Sequence, residues 1–418
     1  MQSYQGEHFN ADYVFSYNVL ERKKANELRG VWVTTVRNND FPSKDIFKNG
    51  FNVDKFKKEF MSILATCRKF KLNALFFQVR PEGDAFYPSG VNPWSRFLTG
   101  EQGVAPMVGF DPLDWLIKVT HEAGMEFHAW LNPYRLTPAG NANREAALKT
   151  LSPTHYVRRH PDWVFFFNGQ LFLDPGVPAV TDFMVATVDE ILNNYPVDAI
   201  HLDDFFYPYP YPKDGKMITF VDVAPDKATF KKYRVDANQD INQWREANIN
   251  ELVYKLHKTV QRYNYAHKKS VEFGISPFGV WASDQKVPGG SKTSPNQLSS
   301  LEEYVNSKLW VEAGWVDYIV PQVYWGFNHK LAPFAVVCKW WNDVVAGTGV
   351  KLYIGLGLYL YEEDKTWKDP EEIIKQIRLI RKLSNVSGFV FFTYHNLVAS
   401  KTDNATLKKA LTLLEREM

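Results

Sequence analysis

Two adjacent carboxylates, Asp203 and Asp204, stand where the short apolar run 199–202 stops, and Phe205, Phe206, Tyr207, Pro208, Tyr209 and Pro210 follow at once. Paired carboxyl groups are what cleavage of a glycosidic bond calls for. One protonates the leaving oxygen, and the other attacks the anomeric carbon or activates water. Aromatic rings beside them suit the C–H faces of a sugar. Side chains alternate along a strand, so His201 and Asp203 share one side while Leu202 and Asp204 share the other. That places Asp203 at the barrel mouth as nucleophile or base, with Asp204 orienting it or capping the next turn. The plain alternative is that the doublet only caps a loop.

A second carboxyl is harder to name. Asp84 is the first choice and Glu82 the next, both just past an early strand. An ion pair from Asp84 to Arg80 would account for Asp84 without catalysis.

These groups need a scaffold, and the chain shows one. Short apolar or aromatic runs alternate with helical patterns about eight times, which points to a parallel sheet covered by helices. Strands are expected at 29–35, 73–79, 125–131, 198–202, 271–276, 318–323, 352–357 and 388–393. Helices are expected at 54–70, 112–123, from Pro178, 242–266, 301–313, 333–345, 370–383 and 404–415. Phe56, Phe60, Ile63, Leu64 and Cys67 recur with helical spacing. Residues 163–173 read as a hairpin turning at Asn168-Gly169. Residues 207–240 and 277–298 read as long polar loops.

The fold class is therefore α/β: one (β/α)₈ TIM barrel over residues 29–418, with enlarged βα loops, a small β-hairpin insertion after strand three, and an N-terminal extension at 1–28. A doubly wound sheet would want a Gly-rich turn after an early strand, and the first strand ends Thr34-Thr35-Val36-Arg37-Asn38 instead.

In such a barrel, polar residues at the carboxyl ends of the strands form the active face. Arg80, Glu82, Trp130, Asn132, Tyr134, Arg135, His201, Tyr207, Trp281, Gln322, Tyr324 and Trp325 all fall there and are the expected substrate-binding set. His128, His201 and His395 lie on three strands beside the aspartates. A metal-dependent hydrolase would use such a cluster, but core or supporting roles fit these histidines better.

Composition narrows the partners. The 49 basic and 47 acidic residues balance, so no concentrated basic field invites nucleic acid or an anionic membrane. Aromatic residues make up 15% of the chain, enough to furnish both a large core and a ring-lined groove. Only Cys67 and Cys338 occur, which makes no disulfide framework and no zinc spacing. No apolar run is long enough for an integral membrane segment, and residues 1–28 lack the apolar stretch of a signal peptide. The reading calls for no cofactor and no metal.

Longer motifs carry a family resemblance. Arg29-Gly-Val-Trp-Val-Thr, Gln78-Val-Arg-Pro, Gly83-Asp-Ala-Phe-Tyr-Pro-Ser, His128-Ala-Trp-Leu-Asn-Pro-Tyr-Arg, Leu173-Asp-Pro-Gly, His201-Leu-Asp-Asp-Phe-Phe-Tyr-Pro, Ser276-Pro-Phe-Gly-Val-Trp and Pro321-Gln-Val-Tyr-Trp resemble the glycosyl hydrolase-like ten family, over residues 29 to about 397. The resemblance implies a glycosidase-type barrel of bacterial cell envelopes, with a characterised relative acting on peptidoglycan glycan strands stripped of peptide. It implies an exported protein, periplasmic or at the cell surface, lipid-anchored in some members. Arg80, Asp84, Asn132, Arg135, Asp203, Asp204 and Gln322 match its pattern. Glu82 departs from it, and Trp244-Arg-Glu-Ala-Asn places Glu246 where the family run has a second arginine. The run ending at Asp203 is also similar to the strand-four segment of α-amylase-type barrels, which ends in the nucleophile.

The expectation is a glycoside hydrolase on an envelope polysaccharide, with a catalytically silent glycan-binding barrel as the alternative.

Overall fold

A computed structural model describes residues 26–418. Residues 1–25 of the expected N-terminal extension lie outside the described residues.

Parallel strands close into a barrel: β1 (Leu28–Val33), β2 (Ala74–Arg80), β3 (Glu126–Leu131), β6 (Ala199–Leu202), β9 (Glu272–Ile275), β10 (Tyr318–Ile319), β11 (Lys351–Gly357) and β12 (Val386–Phe392). β12 pairs with β1, and no edge is left open. The expected hairpin after the third barrel strand is present as β4 (Val164–Phe167) and β5 (Gln170–Leu173), with Asn168 and Gly169 at φ +45° and +72° in its turn. Two residues with positive φ between paired strands are what a tight type I′ turn needs.

The main helices run between the strands: α1 (Val53–Lys69), α2 (Pro112–Glu122), α3 (Pro178–Asn194), α4 (Ile241–His267), α5 (Ser307–Glu312), α6 (Phe334–Val344), α7 (Glu372–Lys382) and α8 (Ala405–Glu417). Each starts where local chemistry permits. Asn52 accepts the Lys55 N–H, Asp111 accepts those of Leu113 and Asp114, and Asp240 those of Asn242 and Gln243. Helix α1 buries Phe56, Phe60, Ile63, Leu64 and Cys67, the face its spacing predicts. Each such fully buried large side chain stabilises the fold by about 1.5–3 kcal/mol. Cys338 is likewise buried, on α6. Among the described residues, no helix is long and apolar enough to cross a membrane.

The barrel interior is filled rather than open. Trp32, Phe76, Trp130, Tyr318, Tyr353 and Val390 pack together there. His128 and His201 join them, each with its Nδ1 on the Tyr318 hydroxyl, at 2.9 and 3.1 Å. Glu27 accepts two 2.8 Å bonds from Arg381, which ties the chain just before β1 to α7. At the opposite end, Asp40 accepts from Thr34, Thr393 and the His395 N–H and holds the β1 and β12 loops together.

Two sequence expectations change. The segment 207–240 is not a structureless loop: it carries the hairpin β7 (Tyr211–Lys213) and β8 (Lys216–Ile218) and short helices at Phe220–Val223 and Lys227–Tyr233. Asp214 and Gly215 take positive φ and turn the hairpin, while Thr219 and Asp222 form a capping box. The expected helix at 301–313 is broken. Leu301–Glu303 is a 3₁₀ turn, Tyr304 takes φ +62°, and α5 begins anew under the Asn306 cap.

Candidate active site

Because the barrel strands are parallel, their carboxyl ends converge on one mouth. Asp203 follows β6 directly and is 5% exposed. Its Oδ2 accepts the side-chain amide of Asn132, the residue after β3. Asn132 Oδ1 in turn accepts Gln78 Nε2 at 2.5 Å. Gln78 Oε1 accepts the backbone N–H groups of Thr35 and Val36, both at 2.8 Å. This relay runs across β6, β3, β2 and the end of β1 and fixes one face of the Asp203 carboxyl. Each amide has one acceptor and two donor hydrogens, so the backbone N–H groups dictate which way both amides point.

Asp204 is 9% exposed, and its Oδ2 accepts the Tyr209 hydroxyl. Burial raises the pKa of both aspartates, and for Asp203 the Asp204 charge raises it further. Arg135 acts the other way on both, favouring their ionised forms. Its guanidinium donates to the Pro81 carbonyl at 3.2 and 3.3 Å and lies 5.2 Å from the Phe205 ring. Adjacent buried carboxyls resist ionising together, so the doublet is suited to holding and releasing a proton.

Asp204 lines a cavity of about 960 Å³ at this mouth, at the upper end of the roughly 300–1,000 Å³ typical of small-ligand sites. Phe205, Tyr209, Phe278, Tyr324, Trp325 and Tyr359 give it aromatic walls. Trp325 meets Phe278 edge-on at 5.5 Å, and Tyr324 meets Tyr359 edge-on at 5.7 Å. Gln322 also lines it, its amide donating to the Ser276 carbonyl at 2.9 Å. Gly279 makes this wall possible, since a Cβ there would fall 2.4 Å from the Gln322 carbonyl oxygen and 2.8 Å from the Trp325 ring.

The long loop after β9 brings two more carboxyls to the cavity, Glu302 and Glu303. Glu303, in the 3₁₀ turn, is 8% exposed. Burial, then the neighbouring Glu302 charge, pushes its pKa up to about 8. Glu302 itself pairs with Lys286 at 2.5 Å.

The glycosyl hydrolase-like 10 family model matches residues 27–370. The chain belongs to that family. It is 40% identical to glycosyl hydrolase YngK of Bacillus subtilis, over 89% of this chain and 69% of that protein. It is 33% identical to glycosyl hydrolase DigH of Escherichia coli K12, over 92% of this chain and 87% of that one. Among solved structures, it resembles α-L-fucosidase isoenzyme 2 from Paenibacillus thiaminolyticus with a TM-score of 0.50 at 13% identity. That match covers 93% of this chain and 49% of the fucosidase chain, about half its length. At that identity the likeness speaks for the barrel alone.

In this glycosyl hydrolase-like 10 barrel the sequence-predicted residues divide. Asp204, Gln322, Tyr324 and Trp325 line the cavity, while Asp203, Asn132 and Arg135 form the polar group beside it. Trp130 packs in the barrel interior.

Others lie elsewhere. Asp84, expected as the second catalytic carboxyl, is fully buried in the β2 loop, where its Oδ1 accepts the Glu82 N–H at 3.0 Å. Gly83 between them takes φ +63° and abuts Leu136 and the Tyr156 hydroxyl, and this tight turn directs Asp84 into the protein. Glu82 is 1% exposed and 3.9 Å from Arg96, and burial lifts its pKa to about 8. Arg80 is buried and donates to the Asn132 and Pro133 carbonyls, Asn92 and Tyr156, so no ion pair to Asp84 accounts for it.

His201 is a barrel-core residue, touching Trp32, Ser276 and Tyr318. Tyr134 packs on Phe206, Tyr207 packs on Phe220 and Tyr304, and Trp281 stacks on Trp340 at 5.7 Å. None of these lines the cavity. Sequence reasoning missed Glu303, and from the ring-rich run after the doublet it chose Tyr207 where Phe205 and Tyr209 form the wall. The signal for Glu303 was Asn306, a helix cap inside what the periodicity presents as one helix.

Proposed function

We propose that this protein hydrolyses glycosidic bonds in a bacterial envelope polysaccharide, with peptide-free peptidoglycan glycan as its substrate. The observation that carries the reading is the Asp203–Asp204 doublet: two buried carboxyls beside an aromatic-walled cavity at the carboxyl face of the barrel. Rings of Trp325, Phe278 and Tyr209 offer flat faces to sugar rings, and Gln322 offers hydrogen bonds to hydroxyl or acetamido groups. Asp203, steadied by Asn132, supplies the carboxylate that acts on the anomeric carbon or on its attacking water. Asp204, steadied by Tyr209, faces the substrate beside it.

Membership of a glycosyl hydrolase-like family supports carbohydrate chemistry in general. The narrower substrate, and export to the envelope where it lies, rest on the family resemblance and belong to this proposal. Incubating the protein with purified peptide-free glycan strands tests it through new reducing ends. Binding without new ends would instead establish a silent glycan-binding barrel. Loss of cleavage on adding a chelator would point to a metal-dependent route.

A further inference from the structure

Glycosidic cleavage needs a proton for the leaving oxygen as well as a carboxylate for the anomeric carbon. The doublet lies at the end of β6, and the two acids expected to partner it are sealed in the β2 loop. Glu303 reaches the same cavity from the β9 loop. We propose that Glu303 is the general acid of this site, donating its proton to the glycosidic oxygen of a glycan held over the Asp203–Asp204 doublet.

The turn that carries Glu303 is held on several sides. Ser300 donates its N–H to the Val280 carbonyl at 2.8 Å, Leu301 to that of Trp281 at 3.1 Å, and Val305 back to Ser300 at 2.9 Å. The next residue, Tyr304, receives Arg245 Nη1 at 2.8 Å on its hydroxyl, and that hydroxyl donates to Asn242 at 3.1 Å. Arg245 is in turn gripped by both oxygens of Asp226, each at 2.7 Å. These bonds fix the backbone that presents Glu303 to the cavity, where a general acid must be positioned.

Its surroundings keep the proton on. Among the described residues, none donates a hydrogen bond to the Glu303 carboxyl or forms an ion pair with it. The nearby Lys286 is engaged by Glu302. Glu82 is as strongly raised, yet it faces Arg96 and does not line the cavity. The electrons of the breaking C–O bond pass to the leaving oxygen, which takes the Glu303 proton and departs as an alcohol. The anomeric carbon gains an oxygen either from Asp203 directly or from water whose proton Asp203 takes. In the first case water then hydrolyses the ester and returns its proton to Glu303, so both routes balance.

This role rests on the glycosidase reading above, and the experiment separates the two. Wild type and Glu303→Gln are compared on peptide-free glycan strands and on a dinitrophenyl glycoside that wild type turns over, whose leaving group departs without a proton. Glutamine keeps the shape of a protonated glutamate, and an unchanged circular-dichroism spectrum verifies the fold. The expected result is a drop of about 10²–10⁴-fold in kcat/KM on the glycan, less than about tenfold on the dinitrophenyl glycoside, and loss of the basic limb of the pH profile. Equal loss on both substrates, or none on the glycan, overturns the Glu303 role while leaving the glycosidase reading standing. A wild-type protein that cleaves neither substrate overturns both.

Discussion

Asn132 donates its side-chain amide to Asp203 while its own oxygen is held by Gln78. The reactive carboxyl is thus oriented from the backbone of Thr35 and Val36 through two amides, with no charged group in the relay. Asn132→Ala removes the donor and leaves Asp203 more easily protonated. A hydrogen bond to a charged group contributes about 1.5–3 kcal/mol. The acidic limb of the rate profile is expected to move to higher pH, with kcat near pH 6 falling about 10–100-fold. An unshifted limb would show that Asn132 does not tune Asp203.

Glu82 and Glu303 give stability a pH dependence. Unfolded, both release protons near the ordinary 4.5; folded, both keep them to about 8. The native state therefore binds more protons across that window, and stability falls as pH rises through it. Buried His155, lowered to about 3, works in the opposite sense, but only below its unfolded value of 6.5. Melting temperature is thus expected to fall between pH 6.5 and 8. Glu303→Gln should make that fall shallower, which differential scanning calorimetry can follow.

The Asp226–Arg245 pair is wholly buried, with Arg245 also against the Phe220 and Tyr304 rings. Removing one partner leaves an uncompensated buried charge, so Arg245→Ala should cost about 3–5 kcal/mol in urea unfolding. Replacing both, with Arg245→Met and Asp226→Leu, should recover much of that stability. Activity should stay low even so, because Tyr304 has lost its anchor beside Glu303.

Trp325 offers the cavity a half-buried ring with no hydrogen bond from its indole to the catalytic carboxyls. Trp325→Ala is expected to weaken glycan binding about tenfold, roughly 1.4 kcal/mol, with little change in kcat. Calorimetric titration of glycan into an Asp203→Asn background measures it without turnover.

Much of this arrangement was legible in the sequence, and the rest had definite physical reasons for being hidden. Strand and helix periods and the Asn168-Gly169 turn announced the barrel, because each is a local signal. Alternation placed Asp203 on the same side as the inward-facing His201, where its contact with Asn132 is found. Asp84 looked available only because Gly83's turn, which sends it inward, depends on distant Leu136 and Tyr156. Glu303 was concealed by an apolar rhythm that runs through 301–313 while the backbone breaks at Tyr304. Trp281 and Tyr207 read as ring platforms, yet their partners Trp340 and Tyr304 come from other elements and bury them.

The most direct test of the account compares wild type with Asp203→Asn on peptide-free glycan strands, counting new reducing ends at pH 7–8, where Asp203 is ionised and Glu303 still holds its proton. Asparagine keeps the side-chain shape but cannot act as nucleophile or base. The account predicts that wild type generates ends and that the variant, folded and still binding glycan, is slower by about 10³-fold. Equal rates from the two proteins would contradict it.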